Sequence, residues 1–150
     1  RWYLGGKPWA EYCVFDAETV YGVAARAGTS TDGAFFTPGA EGYELFAADV
    51  SSSKRRWSLR VPVRMTSMVL AGQTLFAAGA PDAIDPTEAW AAYDGRRGGH
   101  LWALSAEDGK ILSKYDLAAP PVLDGMAVSG GRLLVSTIDG KVLCYGQKGR

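Results

Sequence analysis

Three stretches of the chain share one alternation of apolar and polar positions. Each stretch has apolar residues on both sides of a small pair that favours a turn, which is the pattern of two antiparallel strands joined by a tight turn. The copies span 14–21, 69–76 and 127–134, so they recur after 55 and then 58 residues. A repeat at this spacing predicts units of one kind arranged in series.

A second pattern follows each hairpin and completes the unit. The run 45–49 recurs at 101–105 and, more loosely, at 142–146. Turn-rich residues after the first two copies lead into further strand-like runs at 57–63 and 111–117, and no long run has helical spacing of its apolar positions. Four-stranded antiparallel units in series build a β-propeller. The predicted fold class is therefore all-β, a β-propeller fragment of about three four-stranded blades, the last one incomplete.

The repeat sets the expected blade boundaries at about 12–64, 65–118 and 122–146. A closed propeller usually needs about four to eight blades. We therefore expect the chain to be a C-terminal fragment, whose first partner is the rest of the propeller in a longer protein.

Two local predictions concern strands and turns. The run 56–64 alternates apolar with basic or polar residues, which favours an outer strand with one solvated face that continues to Arg64. The Asp139-Gly140 pair between two apolar runs predicts a two-residue type I′ hairpin turn. Cys13 and Cys144 lie inside apolar strand patterns, so we expect both to be small buried hydrophobic residues.

The link between the third and fourth strands resembles a known repeat. The matching positions are Ala47, Asp49 and Trp57 in the first copy and Ala103 and Gly109 in the second. They resemble the Ala-x-Asp-x-x-Thr-Gly-x-x-x-Trp signature of the pyrroloquinoline-quinone-type propeller repeat, although Ser113 takes the Trp position of the second copy. The resemblance implies that the small Ala and the Trp pack neighbouring blades together. It also implies an exported bacterial quinoprotein-like protein, periplasmic or extracellular.

Charge and composition narrow the classes of partner. Sixteen basic and sixteen acidic residues give a formal net charge of zero, which argues against a general nucleic-acid or membrane-surface binder. No run approaches the roughly 18 apolar residues of a membrane-spanning helix. We therefore expect no nucleic-acid partner and no membrane span.

Two long insertions separate the second and third strands, at 26–42 and 79–99. Because successive strands alternate in direction, both insertions are predicted to project from one face of the propeller. Long loops on a rigid scaffold are often functional. These loops are the candidate functional region.

The second insertion contains more charged residues than the first. Asp85, Pro86 and Glu88 form the sequence of a capped helical turn, and Trp90 and Tyr93 fall on one face of it. The simplest role for these two rings is to anchor the loop to the scaffold. The alternative is a ligand site with aromatic groups for stacking and charged groups for orientation. Its candidate residues are Asp82, Asp85, Trp90, Tyr93, Asp94, Arg96 and Arg97, with Phe35 and Phe36 from the first insertion.

No catalytic constellation stands out in the sequence. His100 is the only histidine, and the carboxylates of the second insertion match no familiar metal-binding loop, so no metal and no cofactor are expected. The leading hypothesis is a non-catalytic repeat module that presents a surface for a protein or polysaccharide ligand. The alternative, which the resemblance implies, is part of a quinoprotein dehydrogenase with pyrroloquinoline quinone and Ca²⁺ at the propeller axis.

Overall fold

The fold comes from a computed structural model that describes residues 2–4, 7–25, 42–82, 85, 87–88 and 90–146, with side chains from residue 10 onward except residue 25. These residues form strands and turns, and none of them is helical. The strands are β1 (Trp2–Leu4), β2 (Lys7–Ala10), β3 (Tyr12–Phe15), β4 (Thr19–Ala25), β5 (Tyr43–Asp49), β6 (Arg55–Val61), β7 (Val63–Ala71), β8 (Thr74–Pro81), β9 (Gly99–Ser105), β10 (Ile111–Leu117), β11 (Pro121–Ser129), β12 (Arg132–Thr137) and β13 (Val142–Gly146).

Each sheet is built from strands that follow one another in sequence. The first sheet contains β3 to β6, the second contains β7 to β10, and the third contains β11 to β13, all antiparallel. The leading strands β3, β7 and β11 lie side by side, with β7 in the middle. Serial antiparallel sheets with their first strands gathered together are the blades of a β-propeller, so the predicted all-β fold class is confirmed.

The three repeated hairpins have the predicted tight connections. Phe15 pairs with Val20 at the first of them, and Ser129 pairs with Arg132 at the third. Gly130 and Gly131 connect the third pair and both have positive φ, at 55° and 71°. A type I′ turn requires this conformation at both central residues, which glycine adopts without steric cost.

Apolar side chains lie on both faces of the second sheet, so it packs against the first sheet on one face and the third sheet on the other. One buried cluster joins the first sheet to the second, and another joins the second to the third. The first includes Tyr21, Val23, Leu45, Met68, Leu75, Trp102 and Leu104, and the second includes Ala78, Leu101, Met126, Leu133 and Val135. Each cluster removes apolar area from water on both partners, which is the main stabilising contribution in a fold of this kind.

A short hairpin that the sequence pattern missed covers the outer face of the first sheet. Strands β1 and β2 pair with each other, and Ala10 at the end of β2 packs against Phe46 and Ala48. Glu11 is tied to the same sheet, because its backbone N–H donates to the Val23 carbonyl at 2.7 Å. The hairpin thus continues the stack of sheets on the side opposite to the second sheet.

Trp57 links the first and second sheets at their outer edge. Its indole Nε1–H donates to the Ala106 carbonyl at 2.9 Å, and its ring centre is 6.2 Å from that of Tyr21. The ring packs so closely on Gly109 that a Cβ there would lie 2.6 Å from it. Ala47, which pairs with Trp57 across the strands, is fully buried. Ala47, Trp57 and Gly109 of the repeat motif therefore lie at the contact between two sheets.

The predicted outer strand is wrong at its C-terminal end. Strand β6 ends at Val61, and β7 begins at Val63 after a single break at Pro62. Proline has no backbone N–H to continue a ladder, so the chain leaves the first sheet there. Arg64 therefore belongs to the leading strand of the second sheet rather than to a solvated edge.

Two further sequence predictions need correction in the third sheet. Gly140 has a φ of 81°, but Asp139 does not have positive φ. The Gly140 N–H donates to the Thr137 carbonyl at 3.0 Å, which fits a longer turn with one left-handed residue rather than a type I′ pair. Cys144 is exposed, because it lies on the face of the third sheet that points away from the second, whereas Cys13 is half-buried.

Candidate functional site

The loop between β8 and β9 follows a path of hydrogen-bonded turns. At its start, the Asp82 N–H donates to the Pro62 carbonyl at 2.9 Å. Asp85 Oδ1 accepts from the Thr87 backbone N–H at 2.9 Å, as an N-cap residue does. Further on, the Asp94 N–H donates to the Trp90 carbonyl at 2.9 Å. The loop is thus fixed by its own backbone along much of its described length.

Small residues hold this loop against the sheets. Ala91 and Ala92 are buried. Gly95 lies so close to the third sheet that a Cβ there would be 2.3 Å from Ile138 Cδ1 and 3.0 Å from Pro120. Its φ of 77° is in the left-handed region that glycine adopts readily. The loop therefore reaches across the end of the second sheet and contacts the third.

The two aromatic side chains of the loop point largely into solvent. Trp90 is 60% exposed and Tyr93 is 49% exposed. Their ring centres are 5.9 Å apart in an edge-to-face arrangement, with 73° between the planes. The Arg64 guanidinium lies 5.2 Å from the Tyr93 ring centre, within range of a cation–π interaction. This exposure favours the alternative in which the rings face a ligand, whereas Ala91 and Ala92 occupy buried positions of the loop.

Two ion pairs lie in the same loop as the aromatic pair. Asp85 forms an ion pair with Arg97, which joins the two ends of the loop, and Asp94 pairs with Arg96 at 2.5 Å. The hydrogen bonds from Thr87 and the Arg97 charge lower the pKa of Asp85 to about 2. Exposed pairs of this kind add little stability, but they orient charged donors and acceptors within the same loop.

The low pKa of Asp85 leads to an expected pH dependence of the loop. The pKa of Asp85 in the folded protein lies below its ordinary value of 3.8. The Asp85 contacts are therefore fully present above pH 3.8 and are lost as the pH falls through about 2. We expect the Trp90 indole NMR signal to be constant from neutral pH to about pH 4 and to shift at lower pH. Asp85→Asn should show the shifted signal already at neutral pH, whereas Glu107→Gln, in a turn between β9 and β10, should not. A Trp90 signal that Asp85→Asn leaves unchanged would contradict this assignment.

A polar cluster that sequence reasoning missed lies beside the start of the loop. It involves Glu11, Tyr43, Arg64 and Asp82, from four separate parts of the chain. Burial raises the pKa of Tyr43, and the charge of Asp82 adds to the increase. Burial also lowers the pKa of Arg64 and raises that of Asp82, although each charge favours the ionised form of the other. Desolvation therefore outweighs the attraction between these two groups.

The structure describes most of the candidate site residues that the sequence predicted. Asp82, Asp85, Trp90, Tyr93, Asp94, Arg96 and Arg97 all lie in the one loop, whereas Phe35 and Phe36 lie outside the described residues. His100 is on β9 and its Nδ1 is 2.9 Å from Asp116 Oδ1 on β10. The structure thus places seven of the nine candidate residues in one region.

The leading strands meet near the axis, where Tyr12 donates a hydrogen bond to Asp124 of the third sheet. Asp124 has a φ of 54° in an irregular stretch of β11, a strained conformation for a residue other than glycine. Burial, together with this hydrogen bond, raises the pKa of Tyr12. Within the described ranges, no three His, Cys, Asp or Glu side chains converge as metal ligands.

In the described part of the chain, no helix has the length and apolar character to cross a membrane.

Comparison with known proteins supports the fold alone. No protein-family model matches the chain, and no curated protein sequence matches it. Among solved structures, the chain is similar to the computationally designed Ika4 protein, with 11% identity and a TM-score of 0.58 over 89% of this chain and 63% of Ika4. It is also similar to the designed Ika8 protein, with 12% identity and a TM-score of 0.59 over 90% of this chain and 32% of Ika8.

A third similarity is to BamB from Moraxella catarrhalis, with 15% identity over 91% of this chain and 48% of BamB. Its TM-score is 0.29, which is too low to support a conclusion. The chain spans less than two thirds of the length of each of these three proteins.

Proposed function

We propose that the chain is a non-catalytic β-propeller module that binds a polysaccharide through the loop between β8 and β9. The observation that supports this proposal is the exposed Trp90–Tyr93 pair on a loop that small residues fix to the sheets. The proposal also places the module in a larger exported protein of the pyrroloquinoline-quinone-like repeat type, which the motif around Ala47 and Trp57 motivates.

The chemistry of the loop suits a sugar chain. Aromatic side chains offer large apolar faces on which the C–H side of a pyranose ring can stack. The neighbouring Asp85–Arg97 and Asp94–Arg96 pairs supply carboxylate acceptors and guanidinium donors for hydroxyl groups. Because backbone hydrogen bonds already fix the loop, little conformational entropy is lost on binding. This combination supports a polysaccharide more than a strongly charged ligand.

The proposal is tested by titrating the full chain with soluble oligosaccharides, such as cellohexaose and chitohexaose, in a calorimeter. We expect saturable binding of at least one of them, and Trp90→Ala and Tyr93→Ala should each weaken it by about tenfold or more. Phe15→Ala is the matched control, because Phe15 is 63% exposed but lies at the hairpin turn between β3 and β4. That variant should bind as the unmodified chain does.

Three outcomes would contradict parts of the proposal. Equal binding by Trp90→Ala and the unmodified chain would show that the loop is not the site. Binding of peptides but of no oligosaccharide would overturn the ligand class. Dye reduction with alcohols or aldoses after reconstitution with pyrroloquinoline quinone and Ca²⁺ would overturn the non-catalytic assignment.

A further inference from the structure

A groove between the second and third sheets has a volume of about 590 Å³. Its walls are mainly apolar and aromatic, with a few polar groups. The lining residues include Phe76, Leu101, Ser113, Tyr115, Arg132 and Tyr145. The two tyrosine rings lie on opposite sheets, with their centres 5.9 Å apart and their planes at 41°. Walls of this composition are typical of small-molecule sites.

The strand register shows what fills the corresponding space between the first two sheets. Ser113 pairs with Ala103 on the neighbouring strand, in the same way that Trp57 pairs with Ala47. Two residues further on, Tyr115 pairs with Leu101 in the same way that Leu59 pairs with Leu45. Ser113 therefore occupies, in the second sheet, the position that Trp57 occupies in the first.

This difference between the two sheets, Ser113 in place of Trp57, accounts for the groove. Between the first two sheets, the Trp57 indole lies in the apolar cluster and contacts the next sheet. Between the second and third sheets, the same position carries only the hydroxymethyl group of Ser113, and the groove lies beside it.

From this repeat geometry we propose that the groove is a binding site for a small planar aromatic molecule of indole size. The ligand would lie between the second and third sheets, where Trp57 lies between the first and second. The Tyr115 and Tyr145 rings would provide aromatic contacts, and the Ser113 hydroxyl would provide a hydrogen-bonding group at the outer wall. The site is separate from the loop between β8 and β9, so it does not depend on the polysaccharide proposal.

The test uses the full chain and indole as the probe, with binding followed by NMR titration. We expect saturable binding with a Kd below about 1 mM, and much weaker binding of cyclohexanol, which is not planar. Ser113→Trp should fill the groove, reduce indole affinity by at least tenfold and raise the Tm by a few degrees, as cavity-filling substitutions commonly do. Leu112→Trp is the matched control, since Leu112 is an exposed neighbour on the same strand, and it should leave indole binding unchanged.

A second variant keeps the test decisive if Ser113→Trp fails to fold. Tyr115 is half-exposed, so Tyr115→Ala should fold and should weaken indole binding by about tenfold. Absence of indole binding to the unmodified chain, as would occur if another part of the chain filled the groove, would overturn the proposal. Equal binding of cyclohexanol, or full indole affinity in either groove variant, would overturn it as well.

Discussion

Trp57→Ala is expected to lower the free energy of unfolding by about 3 kcal/mol, the lower end of the range for removing a large aromatic side chain from a core. The ring lies between the first two sheets, against Gly109, and donates to the Ala106 carbonyl. The variant therefore loses apolar contacts on both sheets and leaves a gap where the partly buried ring lay. Urea unfolding followed by circular dichroism measures the change without relying on tryptophan fluorescence.

Trp57→Phe separates the packing of this ring from its hydrogen bond. Phenylalanine keeps an aromatic ring between the sheets but cannot donate to Ala106, so we expect a loss of about 1 kcal/mol. A Trp57→Ala variant within about 1 kcal/mol of the unmodified chain would contradict the inferred role of this ring in holding the sheets together.

Gly79→Ala is expected to have an effect of similar size, about 3 kcal/mol, for a steric reason. A Cβ on Gly79 would lie 1.8 Å from the carbonyl oxygen of Arg64 on β7. Because the atom in conflict belongs to the backbone of the paired strand, no side-chain rotation can relieve the overlap. The two strands would have to separate next to Arg64 and Asp82, so ligand binding by the adjacent loop should weaken too.

Gly146→Ala is the matched control for this substitution. A Cβ there would lie 3.2 Å from Arg132 Cγ and at an ordinary contact distance of 3.7 Å from the Gly131 carbonyl oxygen, so the unfolding free energy should change by less than about 0.5 kcal/mol. Chemical denaturation of both variants provides the comparison. A Gly79→Ala variant as stable as Gly146→Ala would show that β7 and β8 are not packed as closely as described.

The fold could be predicted because it depends on a repeated local pattern. Alternating apolar positions and small turn residues define each hairpin, and the recurrence of both reveals the serial sheets. Short elements without a repeat were missed, as with β1 and β2, whose three and four residues carry too little alternation to be distinguished from a loop. The boundary at Pro62 was misplaced because the apolar alternation continues across it into β7.

The candidate site was predictable only in part. The composition of the second insertion identified Trp90, Tyr93 and the charged residues around them, since these all lie close together in sequence. The roles within the loop depend on packing, which sequence does not show, so the sequence did not identify Ala91 and Ala92 as its buried residues. Tyr43 and Arg64 were missed because strand pairing and sheet stacking bring them to the loop from distant positions.

The groove shows a different limit of sequence reasoning. The alignment of the repeats identified Ser113 as the residue in the tryptophan position. It could not show that the groove beside Ser113 is lined by rings from both sheets. That required the register of β9 with β10 and the packing of the third sheet on the second.

The central claim is that the loop between β8 and β9 presents its aromatic pair to a ligand and does not use it as an anchor. The most direct test is the free energy of unfolding of the Trp90→Ala/Tyr93→Ala double variant. The rings contact each other, Tyr93 also contacts Arg64, and about half or more of each ring residue is exposed. We therefore expect a loss of no more than about 1 kcal/mol. A loss of about 3 kcal/mol or more would contradict the claim, because it would show that the two rings hold the loop to the sheets.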